Sequence, residues 1–162
     1  ETKLFEFLVL EGAQAGLSWI TVLRKRENYR RVFADFNVEV VSRFTEDDFA
    51  RLMNEDGIVR NRAKIMSAQI NAHCFMQVQS EFGSFSDYLW NFFKGEPLVN
   101  CWQDIGQVPS KTKMSQLISQ DMMARGFKFF GPTICYSYLQ AMGLINDHLE
   151  YCFRWSECQT SY

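Results

Sequence analysis

The sequence predicts an all-α fold, and three observations carry that expectation. Apolar residues recur at helical spacing along nearly all of the 162-residue chain. Serine, threonine, proline and glycine fall where helices start and stop. The one β-like stretch, residues 127–130, is too short for a sheet. A length of 162 residues fits one domain, 1–162. Hydrophobic residues at 47% and charged residues at 22% exclude a disordered chain.

Taken in order, Leu4, Phe5, Leu8 and Val9 mark a buried helix face that residues 10–15 continue. Gly16 interrupts it, and Ser18 is placed to cap a second helix over 19–33. A short helix is expected over 37–44. Thr45 with Asp48 three residues later forms a capping box, with Asp in place of the usual Glu. Ile65, Ile70, Cys74, Phe75 and Val78 give a long helix over 61–81, and Ser84 or Ser86 caps the next, 88–94. Residues 95–110 hold two of the three prolines and read as irregular, with a short strand-like piece. Residues 113–125 are helical, 126–131 turn, and Pro132 opens a helix to residue 142 that Gly143 closes. The sum is a compact multi-helix domain with short connections.

No apolar run reaches the roughly 18–20 residues that a membrane span needs. A net charge of −2 excludes a wholly basic nucleic-acid binder but leaves room for a locally basic face. Arg24, Lys25, Arg26, Arg30 and Arg31, then Arg60, Arg62 and Lys64, then Lys111, Lys113, Arg125 and Lys128 are the runs that could form one. Five cysteines, an odd number, argue against a disulfide framework and for the cytosol. The chain enters a periodic pattern directly at Glu1 with no targeting segment, as expected of a stretch that starts inside a longer natural protein.

Three constellations could carry chemistry. Glu11 lies within an apolar helical stretch, where a carboxylate is costly unless it is paired or binds a ligand. An Arg partner or a helix cap is one account, and a ligand-accepting carboxylate with Trp19 as a nearby stacking face is the other. Residues 125–133, RGFKFFGPT, form a helix, a glycine-bounded turn and a second helix. Such a turn lets backbone N–H groups approach an anion, and Lys128 and Thr133 add donors; a bare helix connection is the ordinary alternative. His148 and Cys152, one helical turn apart, could be half of a zinc site, with Cys158 as a third ligand. A core cysteine beside an exposed histidine is the plainer account.

Together these pieces resemble the 3-methyladenine DNA glycosylase I family, the constitutive bacterial enzymes of alkylation repair. The resemblance lies in LEGAQAGLSWITVL (10–23), KRENYR (25–30), RGFKFFGPTICYS (125–137) and QA-x-GL-x-NDH (140–148). It implies a helix–hairpin–helix glycosylase fold and hydrolysis of the bond joining 3-methyladenine to DNA. By that resemblance Glu11 is the catalytic, base-recognising carboxylate. Trp19 and Ser137 contact the base, and Leu17 fills the gap left in the stack. Gly126, Lys128, Gly131 and Thr133 grip the DNA phosphates. His148 and Cys152 are two ligands of a structural zinc, whose other two lie in an N-terminal segment upstream of Glu1. Asp147 is the candidate general base for water. The implied partners are double-stranded DNA with alkylated bases and free 3-methyladenine as product. A monomer in the bacterial cytoplasm, acting at the nucleoid, is expected. A non-catalytic hairpin DNA-binding module and a zinc-stabilised helical interaction domain are the competing classes. Glu11 argues against the first, and the basic runs and hairpin against the second.

Overall fold

The structure, a computed structural model, describes residues 1–159. Its helices run in order α1 (Thr2–Gln14), α2 (Trp19–Leu23), α3 (Arg26–Val32), α4 (Val38–Ser42), α5 (Glu46–Met53), α6 (Arg62–Phe82), α7 (Phe85–Phe93), α8 (Lys113–Ala124), α9 (Pro132–Ala141) and α10 (Phe153–Glu157). None of them is long and apolar enough to cross a membrane. Several starts are set by the expected caps. Thr45 Oγ1 accepts from the Asp48 N–H at 3.4 Å while the Asp48 carboxylate accepts from the Thr45 N–H at 2.9 Å. Ser84, not Ser86, caps α7, accepting from the Asp87 N–H at 2.8 Å. Past α9 the Leu144 N–H reaches back to the Leu139 carbonyl at 3.0 Å, with Gly143 in the left-handed region at φ 79°.

At 21 residues, α6 is the axis of the molecule, and α1, α4, α5 and α7 pack on it. Phe75 on α6 stacks on Phe85 with ring centres 4.1 Å apart and meets Phe5 of α1 edge-on at 5.5 Å. Phe127, from the turn between α8 and α9, closes the same aromatic cluster. Helix α1 is buried on more than one face, so its polar residues Glu6 and Glu11 are inside with its apolar ones.

The structure departs from the expectations at several points. The helix expected over 19–33 is two. The Arg24 and Lys25 N–H groups bond the Ile20 and Val22 carbonyls at 3.1 and 3.0 Å, and Lys25 Nζ is held by the Asp56 carbonyl at 2.6 Å. The chain turns there, which aims Arg26 and Arg30 at Glu6. Ser18 occupies the N-cap position, but its hydroxyl pairs with that of Thr21 at 2.8 Å instead of capping. Residues 127–130 form no strand, in keeping with their length, but a small sheet forms elsewhere. The sheet is β1 (Leu98–Val99) beside β2 (Ile145–Asn146), parallel, extended by a bridge between Trp102 and Leu149. The basic runs are largely neutralised: Arg31 pairs with Glu55, Arg60 with Asp56, Arg62 with Glu46, and Arg125 with both Glu81 and Asp121.

Candidate active site

Helix α1 carries two buried carboxylates with opposite circumstances. Glu6 accepts from Arg26 Nε at 2.7 Å and Arg30 Nε at 3.0 Å. Burial pushes its carboxyl up, but the two guanidinium groups outweigh that and leave it below the ordinary carboxylate value. Glu11 is 1% exposed, and among the described residues neither of its oxygens has a hydrogen-bond partner. Burial with no opposing donor raises its carboxyl to about 8. The arginine partner that could have explained Glu11 is therefore spent on Glu6, five residues earlier.

Glu11 faces a cavity of about 710 Å³ lined by Phe7, Trp19, Leu23, Ser137, Gln140, Ala141, Ile145, Asp147 and His148. The first turn of α2 supplies Trp19, α9 supplies Ser137, and the segment after β2 supplies Asp147 and His148. A carboxylate, an indole and a phenyl ring around one cavity suit a flat cation. Phe7 was not singled out from the sequence, although it sits one helical turn before Glu11, on the same face. Leu17 is not part of this cavity. It stands 38% exposed on the turn between α1 and α2, where Gln14 holds both its N–H and its carbonyl at 2.6 Å.

Asp147 sits at the far wall with its acceptors filled. Oδ1 takes Asn100 Nδ2 and Trp102 Nε1, each at 2.7 Å; Oδ2 takes Gln140 Nε2 at 2.7 Å and the Tyr136 hydroxyl. Burial raises its carboxyl, and these four donors more than reverse that. A carboxylate held low and occupied at both oxygens is poorly suited to take a proton from water.

The turn between α8 and α9 presents Lys128 and Phe129 to solvent, and Thr133 is exposed in the first turn of α9. Its two glycines have different reasons. Gly126 is at φ 104°, and a side chain there would meet Cys74 Sγ at 3.3 Å, so the backbone itself demands glycine. At Gly131 a Cβ would meet nothing within 4 Å among the described residues. The glycine there leaves open space at the start of α9, where unpaired N–H groups and the positive helix end favour an anion.

His148 Nδ1 and Cys152 Sγ are 4.0 Å apart, close to the roughly 3.6 Å that two ligands of a tetrahedral zinc would span at ordinary bond lengths. They are not on one helix, as their spacing suggested. His148 lies in the turn after β2, and Cys152 precedes α10. The described residues contain no group of three or more possible metal ligands, so Cys158 does not join them. The pair fits two positions of a four-ligand site and does not complete one.

The methyladenine glycosylase family pattern matches residues 1–155. The chain belongs to the methyladenine glycosylase family. It is 45% identical over 150 residues to DNA-3-methyladenine glycosylase 1 of Escherichia coli, covering 93% of this chain and 80% of that protein. With the DNA-3-methyladenine glycosylase of Haemophilus influenzae it shares 43% over 159 residues, covering 98% and 84%. Among solved structures of the family, one crystal structure of 3-methyladenine DNA glycosylase I superposes with a TM-score of 0.90 at 44% identity, over 93% of this chain and 83% of that one. A variant of the enzyme in complex with 3-methyladenine superposes with a TM-score of 0.91 at 36% identity, over 94% and 82%. The all-α glycosylase fold expected from the sequence is thus the fold observed.

Proposed function

We propose that this family member is a DNA glycosylase that hydrolyses the N-glycosidic bond of 3-methyladenine in alkylated double-stranded DNA, the first step of base excision repair. The observation that carries the reading is Glu11, a buried carboxylate with no hydrogen-bond partner among the described residues, aimed into an aromatic-lined cavity. Methylation at N3 makes adenine cationic and so a good leaving group. Glu11 supplies the opposite charge and the acceptors for the base edge. Trp19 and Phe7 offer faces to the cation, worth roughly 0.5–2 kcal/mol each. Ser137 contacts the base from α9. Extruding the nucleotide costs a few kcal/mol of stacking. Leu17, exposed on its turn outside the cavity, is the side chain that would occupy the vacated place in the duplex. Gly131, Lys128 and Thr133 face the phosphates, and Gly126 shapes the turn that presents them. The leaving base needs little acid assistance, and Asp147 acts by holding the far wall together. The products are free 3-methyladenine and an abasic duplex.

A structural zinc belongs to the proposal, with His148 and Cys152 as two ligands and the rest from outside the described residues. No step of the reaction passes through it. The enzyme acts as a monomer beside the DNA, in the cytoplasm. Chromatography of methylated DNA after incubation tests the whole reading: free 3-methyladenine should be released. Duplex binding without base release would leave the hairpin DNA-binding module standing.

Two substitutions separate base recognition from DNA gripping. Trp19→Ala should weaken binding of free 3-methyladenine about tenfold, the scale of one lost stacking partner; unchanged calorimetric affinity would take Trp19 out of the pocket. Lys128→Ala combined with Gly131→Val should lower duplex affinity and reduce the slope of log affinity against log salt by about 1. A Cβ added at Gly131 meets nothing within 4 Å among the described residues, so the fold should hold. Equal losses for free base and duplex would mark the hairpin as structural only.

A further inference from the structure

Helix α6 lies behind both DNA-facing elements, and three of its side chains end on backbone atoms of those elements. Near its start, Lys64 Nζ donates to the Ala13 carbonyl at 2.9 Å and to the Ala15 carbonyl at 2.5 Å. These belong to the last turn and the cap of α1, immediately before the turn that carries Leu17. Two turns on, Asn71 is 2% exposed and meets both backbone groups of Lys128. It accepts from the N–H at 2.7 Å and donates to the carbonyl at 3.1 Å. Three residues further, Cys74 Sγ reaches the Arg125 carbonyl at 3.4 Å. Residues 64, 71 and 74 fall on one face of the helix. The two tethered elements also touch, since a Cβ at Gly12 would lie 3.6 Å from the Cβ of Phe129.

We infer that α6 acts as a spacer in which Lys64 and Asn71 are positioning residues, fixing the distance between the Leu17 turn and the 126–131 hairpin. The inference rests on the glycosylase reading given above. A phosphate grip and a side chain that fills the stack can act on one duplex only if their separation matches the DNA. Neither Lys64 nor Asn71 lines the base cavity. Their tethers bear on how the duplex is held and how the nucleotide is turned out, and not on how the free base is recognised. Their separation of seven positions spans roughly 10 Å of helix axis, rigid because α6 is packed along its length.

The test uses the full chain with Lys64→Met and Asn71→Leu, which keep the approximate bulk of each side chain and delete its polar end. Single-turnover excision from methylated duplex, duplex affinity and calorimetric affinity for free 3-methyladenine are measured for each. Both variants should slow excision and weaken duplex binding about tenfold, the scale of misplacing a reacting partner after losing a buried hydrogen bond. Affinity for the free base should stay within about twofold of wild type. The double variant should lose less than the product of the single losses, because either one already frees the spacing. If Asn71→Leu does not fold, Asn71→Asp replaces it: it keeps the acceptor for the Lys128 N–H and sets an oxygen against the Lys128 carbonyl. Folded variants that bind and excise like wild type would overturn the inference, as would parallel losses in free-base and duplex binding. A wild-type protein that releases no base would instead sink the glycosylase reading, whatever the variants do.

Discussion

Glu11→Gln is expected to lower excision about tenfold or more and, in the same protein, to raise stability. The two effects share a cause. Glu11 is buried without a donor among the described residues, and burial raises its carboxyl to about 8. Between the ordinary carboxyl value near 4.5 and about 8, the folded chain holds a proton that the unfolded chain has released. Stability contributed by this group is therefore complete below the lower value, falls as pH rises across the window, and levels off above about 8. A glutamine has no such proton, so the Tm of the variant should exceed that of wild type by a margin that grows from pH 5 to pH 8. Activity runs the other way. The cationic base needs the carboxylate, so kcat/KM of wild type should rise with pH through a midpoint of about 8, while the variant stays low and flat. Loss of charge and acceptors at the base edge sets the size of the drop, at about 1.5–3 kcal/mol. A wild-type kcat/KM that is flat from pH 6 to pH 9, or a variant that melts below wild type at pH 8, would contradict this account.

Asp147→Ala should be the most destabilising single change at the cavity, by about 3 kcal/mol, or roughly 6–12 °C in Tm. The carboxylate gathers Asn100 and Trp102 from the β1 side and Tyr136 and Gln140 from α9. Removing it leaves four donors facing one another. Asp147→Asn keeps the shape and part of the acceptor capacity, so it should lie between alanine and wild type. Excision by folded Asp147→Asn should remain within about tenfold of wild type, because the residue organises the wall and takes no proton. A folded variant that loses the roughly 10²–10⁴-fold typical of a missing general base would make Asp147 that base.

The helices were legible because their signals are local. Thr45, Ser84 and Pro132 announce starts, and Gly143 announces an end, whatever the rest of the chain does. The parallel pairing of Leu98–Val99 with Ile145–Asn146 was not legible, because each strand has two residues and no period can be read from two. The break at Arg24–Lys25 was hidden for a related reason. Nothing there breaks a helix intrinsically, and the turn is held by the distant Asp56 carbonyl. Within the site, Glu11 stood out as a charge in an apolar stretch. Glu6, between Phe5 and Phe7, gave no such warning, because the arginines that settle its state lie 20 and 24 residues away. Asp147 could be guessed only as a base from its position after the hairpin. Its four donors come from separate segments, and no spacing in the chain foretells them.

The small parallel ribbon joins Asn100 to Asp147 across 47 residues of chain, and it holds up one side of the cavity with very little surface. Contacts between such distant segments close late in folding, after the helical body can already form from nearer ones. The ribbon's amides should also exchange with solvent sooner than those of α6, since a two-residue ladder opens at little cost. In consequence, a molecule can reach its full helical signal before it has a binding site. During refolding, recovery of base binding should lag behind recovery of ellipticity, and the delay should follow the ribbon's own closing rate.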